Sequence, residues 1–261
     1  MYNIIHSETE LKYFFDNILP PLVNDEVYFL SLSARNKYLT EKERLELNLE
    51  RTEMFAHSII RESTFERFLR TIRKYETNEG SYLTKNGSNI PSKCITCYLN
   101  INPSSTLKAY KAFNTIMNEY MFEIANNAIE NRDLVDITNR IKKMDVLMMN
   151  CYQKNRSTKH YLDVDFDIDK KDFHVVQFFC EKISERGAEY FVIDTKSGYH
   201  VLLKRDTVKF NYNESIKEAE EMAFRIYGGG RNYEVVHNKN EMIPLPGTFQ
   251  GGHPVTVIKE F

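Results

Sequence analysis

The chain has 261 residues, 42% of them apolar and 28% charged, and a formal net charge of −2. This is the composition of an ordinary globular protein, long enough for one large domain or two small ones. It contains no apolar run of about 18 residues, which excludes a membrane-spanning helix, and its four cysteines are too irregularly placed for a disulfide framework.

The opening stretch Met1–Ser7 lacks the basic start and apolar core of a signal peptide, and with the cysteine usage this predicts a reducing, cytoplasmic setting. A near-neutral charge does not advertise nucleic-acid binding, but a whole-chain sum averages over an acidic centre and can hide a local basic surface.

In chain order, Glu8 to Leu19 reads as an amphipathic helix broken by Pro20-Pro21, and Glu26 to Ser33 as a strand. The stretch from Thr40 to about Tyr75 is charged and reads as mostly helical, with a fresh N-cap at Ser63 or Thr64. A loop follows over Glu76 to Lys93, then a strand over Cys94 to Ile101. Asn102-Pro-Ser-Ser-Thr106 caps a long helix to about Asn131, and a further helix spans Asp133 to Tyr152. Cys94-x-x-Cys97 is half of a zinc site without a second Cys/His pair nearby, so zinc is not expected there.

The most informative stretch is Tyr161-Leu-Asp-Val-Asp-Phe-Asp-Ile-Asp169. Its strict alternation is that of a half-buried strand: Leu162, Val164, Phe166 and Ile168 on one face, Asp163, Asp165 and Asp167 on the other at intervals of about 7 Å. A row of carboxylates repels itself unless a cation lies over it, and hard divalent ions with oxygen ligands are the commonest answer. A solvated acidic face is the plainer alternative.

Beyond it, Phe173, Val176, Phe179, Cys180 and Ile183 recur at helical spacing. Glu189 to Thr195 and Tyr199 to Arg205 read as strands joined by Lys196-Ser-Gly198. Asn213 opens a helix stopped by Gly228-Gly-Gly230, and Tyr233 to His237 is the next strand. The order strand–helix–strand–strand–helix–strand is the split βαβ, or ferredoxin-like, arrangement. The expected fold is therefore α+β: a mostly helical module with a small sheet over residues 1–152, then a palm over 153–261, the two forming one compact domain overall. On the second strand of that hairpin His200, Leu202 and Lys204 share a face, pairing an imidazole with an ammonium suited to phosphates; a hairpin with a structural histidine is the plainer reading of these residues alone.

Three stretches together resemble the motif set of the archaeo-eukaryotic primase superfamily, which includes the primase-polymerases. Asp163-Val-Asp165 is similar to the Asp-x-Asp of its first palm strand. Gly198-Tyr-His200, preceded by Ser197, is similar to its small-residue-x-His hairpin. Val235 to Gly251, with Leu245-Pro-Gly247, resembles its third motif region. The likeness is specific over Tyr161 to Phe261, and the strand Cys97 to Pro103 is similar to part of the family's N-terminal module. Two positions depart from the pattern: Asn238 stands where the third acid is usual, and Pro244 where an arginine precedes Leu-Pro-Gly.

The resemblance implies a DNA primase or primase-polymerase, a nucleotidyltransferase that makes or extends primers on a single-stranded DNA template by two-metal chemistry. Asp163, Asp165 and Asn238 would hold Mg²⁺ or Mn²⁺, with Asp167, Glu234 or Glu241 compensating for the missing acid. Ser197, Gly198, His200, Lys204 and Arg205 would grip the nucleoside triphosphate. Lys154, Arg156 and Lys159, and less directly Arg35 and Lys37, would meet template phosphates. Helicase or accessory functions would come from a separate replication subunit.

Two other readings come from different classes. One is a catalytically reduced scaffold that binds nucleic acid, which Asn238 favours. The other is a split-βαβ protein that stacks single strands on exposed aromatics, against which the aspartates of the open face argue.

Overall fold

The computed structural model describes residues 1–61, 64–84, 86–130, 132–228, 233–238 and 241–259. Helix α1 (Glu8–Asn17) starts at Ser7, whose hydroxyl accepts from the Glu10 amide. Strand β1 (Glu26–Arg35) follows, then α2 (Glu41–Leu47), β2 (Thr52–Ile60), α3 (Phe65–Arg73), β3 (Ile95–Asn100) and β4 (Ser104–Ser105). Helices α4 (Thr106–Ile129), α5 (Val135–Ile141) and α6 (Met144–Lys154) form a lobe. Next come β5 (Tyr161–Asp167), α7 (His174–Glu185), β6 (Tyr190–Asp194), β7 (Tyr199–Lys204), α8 (Asn213–Tyr227) and β8 (Glu234–His237). The chain closes with β9 (Met242–Pro244), β10 (Phe249–Gln250), β11 (His253–Pro254) and β12 (Thr256–Ile258). Among the described residues no helix is long and apolar enough to cross a membrane.

The fold is α+β, with two sheets whose pairings are all antiparallel. The first has seven strands along β11-β10-β3-β1-β2, with β4 on β1 and β9 on β3. The second runs β12-β6-β7-β5-β8.

Three expectations change. The N-terminal region carries a long sheet in place of a small one, because residues 52–60, expected to be helical, pair along β1 from Tyr28↔Ile60 to Arg35↔Thr52. A buried partner strand there outweighs the helical leaning of the charged flanks. The 152/153 boundary does not divide the chain in space, since β9, β10 and β11 return to complete the first sheet. The helix expected over Asp133 to Tyr152 is two helices, α5 and α6. Thr64 is the N-cap of α3; Ser63, Asn131, Gly229 and Gly230 lie outside the described residues.

The cores decide where the second sheet is open. Leu162, Val164 and Phe166 pack with Val201 and Leu203 beneath α7 and α8. Burying each such side chain is worth about 2 kcal/mol, which locks the register of β5 and forces its aspartates to the opposite face. On that face one end is covered: Tyr161, Ile193, Leu202 and Val257 join the core of the first sheet. The other end is not covered, and it carries the acids.

Candidate active site

The antiparallel register sets Asp165 opposite His200 and Asp163 opposite Leu202, so His200 lies across from one aspartate and diagonal to the other. Its Nδ1 is 3.0 Å from Asp163 Oδ1 and 3.1 Å from Oδ2, and its Nε2 is 3.7 Å from Asp165 Oδ1. Strand β8 lies on the other side of β5. Just past it, Asn238 donates its backbone N–H to the Asp163 carbonyl at 2.8 Å and its side-chain amide to Asp163 Oδ2 at 2.7 Å. The same amide reaches the Met242 carbonyl at 3.3 Å.

The two aspartates therefore differ. The Asp163 side chain is fully buried among polar partners, while that of Asp165 is 41% exposed and opens into a cleft. Burial pushes the His200 pKa down, but the charges of Asp163 and Asp165 and the Asp163 hydrogen bond outweigh it, raising it to about 9. His200 is thus an imidazolium at neutral pH. Asp165 is shifted upward, first by desolvation, with Asp163 and Asp167 adding repulsion and His200 and Lys37 opposing them.

The turn before His200 lies hard against the acidic strand. A Cβ at Gly198 would fall 1.7 Å from the Phe166 carbonyl oxygen. The Gly198 carbonyl accepts from Lys170 Nζ at 2.8 Å and from Thr195 N and Oγ1, each at 3.0 Å. Gln250 fastens the turn from the first sheet by accepting the Lys196 amide at 2.6 Å. The Leu245-Pro-Gly247 region thereby has a physical role, because it carries Gln250 to the hairpin.

The facing wall is the polar side of the first sheet, where Ser31, Ser33 and Arg35 of β1 lie beside Tyr98 of β3. Arg35 Nη1 donates to Tyr98 Oη at 2.6 Å, and Lys37 Nζ to Ser197 Oγ at 2.7 Å. Desolvation lowers the Lys37 pKa; Asp167 and Asp165 counter it, and Arg35 adds to it. Between the walls lies a cleft of about 840 Å³.

The predicted site residues divide accordingly. Asp165, Asp167, Ser197, His200, Asn238, Lys154, Arg156, Arg35 and Lys37 line the cleft. Lys204 and Arg205 do not: Lys204 pairs with Tyr161 at the covered end of the sheet and binds Glu189 at 2.6 Å. With Lys159 and His160 they border a separate depression. Arg156 Nε is 3.3 Å from Glu241, which Lys159 also meets at 2.6 Å, so two of the three cations expected to touch template serve an internal anion, and Lys154 remains on the cleft wall.

Of the acids that could compensate at the third position, Glu241 is thus engaged. Glu234 is exposed opposite Asp167, while Asp167 and Glu241 both line the cleft with Asp165. Sequence reasoning ranked Arg35 and Lys37 low and missed Tyr98 and Gln250; the alternation Ser31-x-Ser33-x-Arg35 was their one local signal.

Among the described residues no three His, Cys, Asp or Glu side chains form a metal-holding group. The oxygen donors of Asp165 and Asp167 still suit Mg²⁺ or Mn²⁺, which in phosphoryl-transfer sites bind to about one or two carboxylates plus substrate phosphates. Asp163 contributes through whatever lone pair His200 and Asn238 leave free. No family model, curated protein or solved structure matches the chain.

Proposed function

We propose that this chain is a metal-dependent nucleotidyltransferase of the primase-polymerase type, which makes or extends primers on single-stranded DNA from nucleoside triphosphates. The observation that carries the reading is the convergence of Asp163, Asp165 and His200 at the open end of one sheet face, across a cleft from Arg35 and Lys37. The order β6-β7-β5-β8, with α7 and α8 on the opposite face, supports a split-βαβ palm. Four free cysteines are in keeping with cytoplasmic work.

Asp165, with Asp167 and Asp163 beside it, would hold Mg²⁺ or Mn²⁺. When bound, the ion neutralises phosphate charge and eases deprotonation of the attacking hydroxyl. His200 presents a fixed positive charge at the mouth of the acidic site, suited to a phosphate oxygen, and Asp163 keeps its ring in place. Lys37 and Ser197 offer an ammonium and a hydroxyl 2.7 Å apart for a second phosphate oxygen. Arg35 adds a guanidinium farther along the same wall. Lys204 and Arg205 have no part in this scheme.

The test is incorporation of labelled nucleotides on single-stranded template, with and without primer, in Mg²⁺ and in Mn²⁺. The reading expects metal-dependent product that disappears in Asp163→Ala/Asp165→Ala. The second reading, a scaffold that keeps the site without turnover, is favoured by the Asn238 amide that occupies Asp163. If wild type binds template but is as silent as the double variant in both metals, while Asn238→Asp makes product, the scaffold reading stands.

A further inference from the structure

Glu241 is buried, only 5% exposed, and sits in left-handed backbone at φ +56°, a conformation unusual for a glutamate. Such an arrangement persists only where its surroundings over-determine it. Here they do. Its carboxylate receives Lys159 at 2.6 Å and Arg156 at 3.3 Å. Its carbonyl accepts from Ile101 N at 3.0 Å, just past β3, and its own N–H reaches the Asn238 carbonyl at 3.3 Å. Arg156 is anchored in turn by Ser104 Oγ at 3.0 Å and Asn100 Oδ1 at 2.9 Å, both in strands of the first sheet. An unbroken path of bonds thus runs from the first sheet through Arg156 and Glu241 to Asn238, and from Asn238 to Asp163.

We propose that Glu241, clamped by Arg156 and Lys159, is a positioning residue: through its N–H bond to the Asn238 carbonyl it holds Asn238 against Asp163 and so sets the acidic strand relative to the cleft. Arg156 and Lys159 then act as internal counter-charges and not as template contacts. A buried carboxylate with two cations is costly to assemble and disruptive to break, which suits it to fixing one geometry. The turnover and single-stranded DNA arms of the test rest on the nucleotidyltransferase reading; the hydrogen-exchange arm does not.

The variants are Glu241→Gln, which keeps the shape and removes the charge, and Lys159→Met, which leaves Arg156 in place. Amide hydrogen exchange at Asn238 should quicken by about tenfold in Glu241→Gln while amides of β6 and β7 keep their rates. Turnover should fall by about tenfold or more with the nucleotide KM unchanged, as expected of a misplaced site. Combining Glu241→Gln with Asn238→Ala should add nothing to Asn238→Ala alone.

For single-stranded DNA, Lys159→Met should leave the salt dependence of binding as in wild type; loss of a phosphate contact would flatten the slope by about 0.7. An unchanged Asn238 exchange rate, additive losses with Asn238→Ala, or a flattened slope would each overturn the proposal. If wild type makes no product, the function falls and the exchange measurement still decides the role of Glu241. If Glu241→Gln does not fold, Lys159→Met is read by the same exchange and turnover criteria.

Discussion

Replacing Gly198 by alanine puts the architecture of the site to its hardest test. The added carbon would lie 1.7 Å from the Phe166 oxygen, 2.8 Å from the Phe166 carbonyl carbon and 3.0 Å from the Ile168 nitrogen. All three are backbone atoms, so no rotamer relieves the clash, and the hairpin must retreat by about 1.3 Å to restore 3.0 Å of clearance. Retreat strains the Phe166↔Tyr199 pairing and the bonds of Lys170 and Thr195 to the Gly198 carbonyl. The expected cost is about 3 kcal/mol, the upper end for overpacking. That lowers the melting temperature by about 6–12 °C for a chain of this size. Because His200 rides on the same hairpin, a shift of about 1 Å should also cut nucleotide incorporation about a hundredfold.

Thermal unfolding followed by circular dichroism, alongside primer extension, measures both effects. Gly187→Ala is the control: its Cβ meets nothing within 4 Å, so only its positive φ of +85° resists substitution, at about 1–2 kcal/mol. If Gly198→Ala melts no lower than Gly187→Ala and keeps wild-type incorporation, the close approach of hairpin to acidic strand is not what holds His200.

Two further outcomes follow from the charges. His200 titrates near 6.5 when unfolded and near 9 when folded, so its contribution is complete below about pH 6.5 and lost as pH rises through about 9. With chelator present, urea unfolding of wild type should weaken by up to about 3 kcal/mol over that window. His200→Gln should show a flat profile there, and a parallel decline would mean another group is responsible. For the cleft's cationic wall, Lys37→Met should weaken nucleoside triphosphate binding by about tenfold, the value of one charge-assisted bond. Lys204→Met should leave it unchanged; calorimetric titration of both variants with the same nucleotide tells them apart, and equal losses would contradict the geometry.

The acidic strand was legible over Tyr161 to Asp167, although its alternation runs on past the strand's end to Asp169. Alternation between Tyr161 and Asp169 reports which side chains share a face, and this is a local property that packing under α7 and α8 preserves. The hairpin at Lys196-Ser-Gly198 and the strand and helix order from residue 161 to 237 were legible for the same reason, whereas the short strands β9 to β12 were not legible. Residues 52–60 were not, because their fate depended on β1, a strand pairing partner that a window of sequence does not contain.

The same limit governs the site. The resemblance of the motifs, and not residue type or spacing alone, implied that Asp163, Asp165 and His200 share a site, and the register of β5 against β7 brings them together. Only tertiary structure decided which cations join them: Lys37 arrives from the first sheet, Lys204 is drawn off by Glu189, and Arg156 and Lys159 are claimed by a glutamate more than eighty residues away. A charge announces itself in sequence, but its partner is chosen by whichever surfaces the cores bring together.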